Sequence, residues 1–179
     1  MSYKRQPVEP VDHAIGRSRG GLTTKLHTLV DGNGRPLVIE AGPGHGGDSP
    51  MLLVLLGYLR VGRGGPGRPR TRPDALLADK AHSSRAHRAL LQQQGITAVI
   101  PERSDQQGHR LRRGSAGGRP VGYNAERYKD RNVIERSYEQ LKQWRGLATR
   151  YDKLAVIYRG GAVLPSIILW LRSPIGDTP

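Results

Sequence analysis

The chain has 179 residues, enough for one domain of ordinary size and too few for two full ones. Lys and Arg number 29 against 15 Asp and Glu, a formal net charge of +14; that excess suits a phosphate backbone, whose neutralisation releases condensed counterions. With no Cys, disulfides and thiolate metal sites are excluded.

Residues 1–21 are polar and Gly/Arg-rich without periodicity, and are expected to form a loose N-terminal tail with no signal peptide. From Leu22 to Val30 the residues alternate, "DGNG" at Asp31 to Gly34 supplies positive-φ positions, and "RPLVIEA" follows, a β-hairpin. In "GPGHGGDSP", Asp48 or Ser49 is expected to cap a helix over residues 51–59 with Pro50 in its first turn. That stretch has the glycines of a phosphate loop but not the Lys and Ser/Thr ending of a nucleotide cradle. Residues 60–73 carry five Arg on a Gly/Pro backbone, an exposed basic loop.

"DALLADKA", "SSRAHRALLQQQG" and "ITAVIPE" read as strand, capped helix and strand, hence a βαβ unit with parallel strands. Asp79 then falls at the carboxyl end of a parallel strand, where α/β sheets place their ligands. Residues 102–122 read as a second basic loop, a helix runs from Asn124 to about Trp144, and a last apolar helix ends near Trp170 before a short tail, 173–179. Arg159, Gly160, Gly161 and Pro165 interrupt the one membrane-like run, so a cytoplasmic protein with no membrane partner is expected. The six His residues form no ligand pattern, and Trp144 and Trp170 read as packing residues.

Within the 124–144 helix, Tyr128, Arg131, Glu135 and Lys142 fall at about 0°, 300°, 340° and 320° around the axis, one narrow stripe. A solvated face laced with ion pairs would look the same and would contribute only a few tenths of a kcal/mol per pair. The functional alternative joins Glu135 to Asp79. Two carboxylates from separate elements can bind Mg²⁺ or Mn²⁺, Arg131 and Lys142 can hold phosphates, and Tyr128 can pack on a sugar or base.

The spacing Tyr128-x2-Arg131-x3-Glu135-x6-Lys142 resembles the Tyr-Arg-Glu-Lys signature of bacterial DDE transposases in insertion-sequence families four and five. "GRSRGGLTTKLH", "LLADKAHSSRAHRALL", "RNVIER" and "LKQWRGLATRYDKLA" resemble the number-five family across most of residues 12–172. The resemblance implies an α/β, ribonuclease-H-like fold, a mixed sheet flanked by helices, over residues 22–172. It makes Asp79 and Glu135 the second and third catalytic acids and metal ligands, and Tyr128, Arg131 and Lys142 contacts to the transposon end. It also implies two Mg²⁺ ions and DNA that is cut and rejoined.

The family's first catalytic Asp lies on a strand ahead of the hairpin, so the resemblance implies a partial fold with its first strand missing. The polar setting of Asp12 and the turn position of Asp31 make both poor substitutes. His82 stands where the family more commonly has Tyr. The chain is therefore expected to be the C-terminal part of a transposase, inactive alone, with the upstream half or a second copy as partner and an exposed sheet edge favouring dimerisation. The rival expectation is a noncatalytic DNA-binding fragment that regulates the intact enzyme. A nuclease of the same fold with another role is a third.

Overall fold

The computed structural model describes residues 13–172; the expected tail at 173–179, most of the expected tail at 1–21, and Asp12 lie outside them. Strands β1 (Gly16–Ser18), β2 (Gly21–Val30) and β3 (Pro36–Pro43) form an antiparallel sheet in that order, and β4 (Ala75–Leu77) pairs in parallel with β5 (Thr97–Val99). The helices are α1 (Met51–Tyr58), α2 (Arg85–Gln93), α3 (Ser104–Arg112), α4 (Ala125–Tyr128), α5 (Asn132–Lys142), α6 (Arg145–Ala148) and α7 (Ala155–Leu171). The class is α/β, with two small sheets in place of one mixed sheet among the described residues. No described strand bridges β2 to β4.

The hairpin forms where its turn chemistry dictates. Asp31 Oδ1 accepts from the Asn33 N–H at 2.9 Å and the Arg35 N–H at 2.8 Å, while Gly34, at φ 83°, takes the left-handed position. Neighbouring residues of β3 point to opposite faces and both are buried, so the strand is packed on two sides. Val38 meets Leu55 and Leu59 at α1; Ile39 meets Leu141 of α5, Leu147 of α6 and Tyr158 of α7. A further core joins Leu52 and Leu56 of α1 to Leu76 of β4, Leu91 of α2, Ile96 and Ile100. Leu91 is fully buried, a contribution of about 2 kcal/mol.

The βαβ unit forms as the pattern predicts. Ser84 caps α2 through the His87 N–H at 3.2 Å, and Gly95, at φ 71°, ends it. Asn124 caps α4 through the Arg127 N–H at 2.9 Å. The helix expected from there is not uniform, because residues Lys129–Arg131 tighten into a 3₁₀ turn before α5. At 120° rather than 100° per residue, three tightened residues rotate α5 by roughly 60° relative to Tyr128. The last helix runs through Pro165 to Leu171, and the indole N–H of Trp170 donates to the Pro36 carbonyl at 2.8 Å.

Four expectations need correction. Residues 13–21 are not loose: Gly16–Ser18 turn back on β2, and Arg150 donates to the His13 and Ala14 carbonyls at 2.8 and 3.2 Å. Residues 102–122 contain α3, tied down by the Arg110–Glu102 ion pair and by the Ser83 hydroxyl donating to Gln106 at 3.0 Å. Neither Asp48 nor Ser49 caps α1 with its side chain. Their carbonyls take the Met51 and Leu52 N–H groups, and the Asp48 carboxylate turns instead to Lys25. Trp144 is nearly half exposed at the start of α6 rather than packed in the core.

Candidate active site

A cleft of about 1120 Å³ opens between β2 and β4 and is closed in by α1 and α5. Its polar lining includes Asp48, Asp79, His82, Arg127, Arg131 and Lys142. Asp79 follows β4 by two residues, and its Oδ1 accepts from the Ala81 N–H at 2.9 Å, which fixes the turn leaving the strand. The His82 Nε2 lies 3.9 Å from the same oxygen.

Glu135, in the first turn of α5, pairs with Arg131 across one helical turn at 2.9 Å and is well exposed. Carboxylates are favoured in that turn by the helix dipole. Tyr128 is half-buried, its ring edge-on to Tyr123 at 5.5 Å. Burial raises its phenol pKa, Arg131 opposes this, and the Tyr123, Asp79 and Glu135 charges push it further up. Tyr128 thus stands in the field of both acids. Asp79, Arg131 and Lys142 line the cleft together; Glu135 joins them through Arg131.

The family's use of divalent metal can be set against the donors present. Asp79 and Glu135 offer the hard oxygens such ions prefer. Among the described residues no group of three His, Asp or Glu is close enough to hold an ion. The fit is therefore incomplete.

Sequence reading missed Lys25, His27 and Asp48. Lys25 and His27 are two apart on β2 and so share a face; Asp48 Oδ1 receives Lys25 Nζ at 3.1 Å and lies 3.8 Å from His27 Nδ1. Alternation could have paired the two β2 residues, but only the fold brings Asp48 to them. Burial lowers the His27 pKa below 6.5, Asp48 only partly offsetting it while Lys25 and His82 reinforce it. The unfolded chain therefore binds that proton more readily, and this share of stability is whole above about pH 6.5 and lost as pH falls. Thermal melts from pH 7.5 to 5 should show His27→Gln losing less than the parent; equal pH dependence would refute this.

Residues 4–160 match the transposase DDE domain family. The chain belongs to that family. It is 32% identical over 155 residues to a candidate transposase for insertion sequence element IS6501 from Brucella ovis, covering 84% of this chain and all of that protein. It is 32% identical over 142 residues to a candidate transposase for insertion sequence element IS402 from Burkholderia cepacia, covering 79% of this chain and 59% of that protein. No solved structure matches. Among the described residues no helix is long and apolar enough to cross a membrane.

Proposed function

We propose that this chain is the C-terminal part of a number-five-family DDE transposase, residues 22–172 forming the partial catalytic domain, and that it acts on insertion-sequence ends in the bacterial nucleoid. The observation that carries the reading is the cleft lining: Asp79 after β4 shares one cleft with Arg131 and Lys142, and Arg131 is paired at 2.9 Å with Glu135 of α5. Asp79 and Glu135 are the second and third catalytic acids. With a further acid from the upstream half of the transposase they would hold Mg²⁺ or Mn²⁺, which would supply Lewis-acid stabilisation of charge at the phosphodiester.

This chain's own residues orient the DNA. Arg131 is held by Glu135 beside the cleft, where its fork can take a phosphate. Lys142, about three turns on, can take another phosphate further along the strand, and Tyr128 can pack on a sugar or base. In cleavage, water oxygen would attack the phosphorus and lose a proton to solvent while the 3′ oxygen leaves and is protonated; in joining, that 3′-hydroxyl would lose its proton, its oxygen would attack a target phosphorus, and the target strand's own 3′ oxygen would leave and take up a proton.

The rival reading, a noncatalytic fragment that binds DNA and poisons the intact enzyme, is favoured by the absence of a three-acid group among the described residues. Nicking of transposon-end DNA separates them. The chain alone should bind DNA with an affinity that falls steeply with salt, log K losing about 0.9 per phosphate contact for each tenfold rise in salt, and should not nick. Mixed with the upstream half of the transposase it should nick when Mg²⁺ is present. Binding without nicking in the mixture would favour the rival.

A further inference from the structure

We propose that residues 62–69 form an arginine-bearing arm that enters the minor groove of A·T-rich duplex DNA. The arm springs from the rim of the cleft, where Val61, Arg70, Arg72 and Pro73 contribute to the lining. Its base is closed as an antiparallel bridge: the Val61 N–H donates to the Arg70 carbonyl at 2.9 Å and the Arg70 N–H to the Val61 carbonyl at 2.8 Å. Every residue between them is exposed. With half of the segment running out and half back, its tip reaches about 13 Å from the bridge, more than the roughly 7.5 Å depth of the groove.

The charge here has one sign and is only partly committed within the fold. Between Asp48 and Asp74 the chain has no acid, while Arg60, Arg63, Arg68, Arg70 and Arg72 all fall in that interval. Two of them are tied down at the root: Arg60 Nη1 donates to the Gly57 and Leu59 carbonyls at 3.0 and 2.7 Å, and Arg70 pairs with Asp74. Arg63 and Arg68, on the arm itself, have neither an ion pair nor a side-chain hydrogen bond among the described residues. Contact with phosphates would account for that charge but not for the backbone that carries it. A Cβ at Gly62, Gly64, Gly65 or Gly67 would meet nothing within 4 Å, so packing inside the protein does not require glycine there, and only Gly67, at φ 149°, needs it for its conformation. What the glycines do is keep the arm thin. Arg68 is held extended by the proline that follows it, so Gly67-Arg68-Pro69 is a narrow, pre-extended segment with one long cation.

That shape selects the groove. The major groove, about 12 Å wide, is filled by a helix or a two-stranded ribbon, and residues 62–69 form neither. The minor groove is about 6 Å wide and narrower still in A·T tracts, where its negative potential draws in arginine. A·T pairs show only acceptors on the groove floor, which suits a guanidinium that can only donate; G·C pairs add an amino group that also donates. The minor groove of double-stranded RNA is wide and shallow and gives a thin arm no walls. The inference goes beyond the transposase reading and does not depend on Asp79 or Glu135.

The test measures the affinity of the full chain, without metal, for duplexes of equal length at equal salt: A·T-rich DNA, G·C-rich DNA and RNA. The A·T-rich duplex should bind at least tenfold more tightly than either of the others, and netropsin, which occupies the A·T minor groove, should compete with the protein. Arg68→Ala should bring the A·T preference below twofold at an unchanged melting temperature, since that side chain is exposed. Arg85→Ala, at an exposed arginine outside the arm, should leave the preference as it is. Equal affinity for the two DNAs, no competition by netropsin, a preference that survives Arg68→Ala, or tighter binding to RNA would each overturn the arm. No strand is cut in these measurements, so their failure leaves the transposase reading standing, and a chain that never nicks DNA can still pass them.

Discussion

Glu135→Gln in the chain mixed with the upstream transposase half should lower Mg²⁺-dependent nicking of transposon-end DNA about 10³-fold, with DNA affinity within threefold of the parent. The magnitude follows from the several kcal/mol that metal-assisted charge stabilisation supplies, each 1.36 kcal/mol being tenfold in rate. A solvated-face role would give a different result. The Arg131–Glu135 pair spans one turn of an exposed helix, so its loss would cost only a few tenths of a kcal/mol and leave nicking untouched. Asp79→Asn is the matching change on the other element. The amide oxygen can still accept from the Ala81 N–H, so the turn after β4 survives while the charge goes. Both variants should retain the parent's melting temperature within a degree or two. Full nicking activity in either would remove that acid from the catalytic set.

The reach of the sequence differed by the range of the interaction involved. Local chemistry was legible: Asn124 and Ser84 as caps, Gly34 and Gly95 at positive φ, and β4–α2–β5 as a parallel unit all follow from residues within a few positions of one another. The stripe was legible only in part. Arg131 and Glu135 pair as their spacing predicts, but the 3₁₀ turn between Tyr128 and α5 has no signature in a 3.6-residue repeat. Contacts set by the fold were not legible. Asp48 reads as a cap beside a proline, yet it faces Lys25 from a strand more than twenty residues earlier. Gln106 holds α3 through Ser83, a pairing that no periodicity announces.

Asp31 illustrates the same division and carries the second large effect, on stability. Its carboxylate receives the Arg35 Nε–H at 2.5 Å besides the two backbone N–H groups of the turn, and both side chains are only 4% exposed. The guanidinium also lies 4.5 Å from the centre of the Trp170 ring, so the turn is fastened to the end of α7. Removing one partner of a buried pair leaves the other charge uncompensated, at a cost of about 3–5 kcal/mol. For a domain of this size, that is a fall in Tm of roughly 6–20 °C. Asp31→Ala should show it in thermal or urea unfolding. Asp31→Asn, which keeps an oxygen for the backbone N–H groups, should lose less. A loss under 0.5 kcal/mol for the alanine variant would show that the pair does not hold the turn. The commitment to Arg35 also bears on catalysis, since a carboxylate with its oxygens engaged inside the hairpin is poorly placed to serve as a third acid. The mixed enzyme carrying Asp31→Asn should therefore nick DNA at the parent rate at temperatures where it is folded, in contrast to Asp79→Asn and Glu135→Gln.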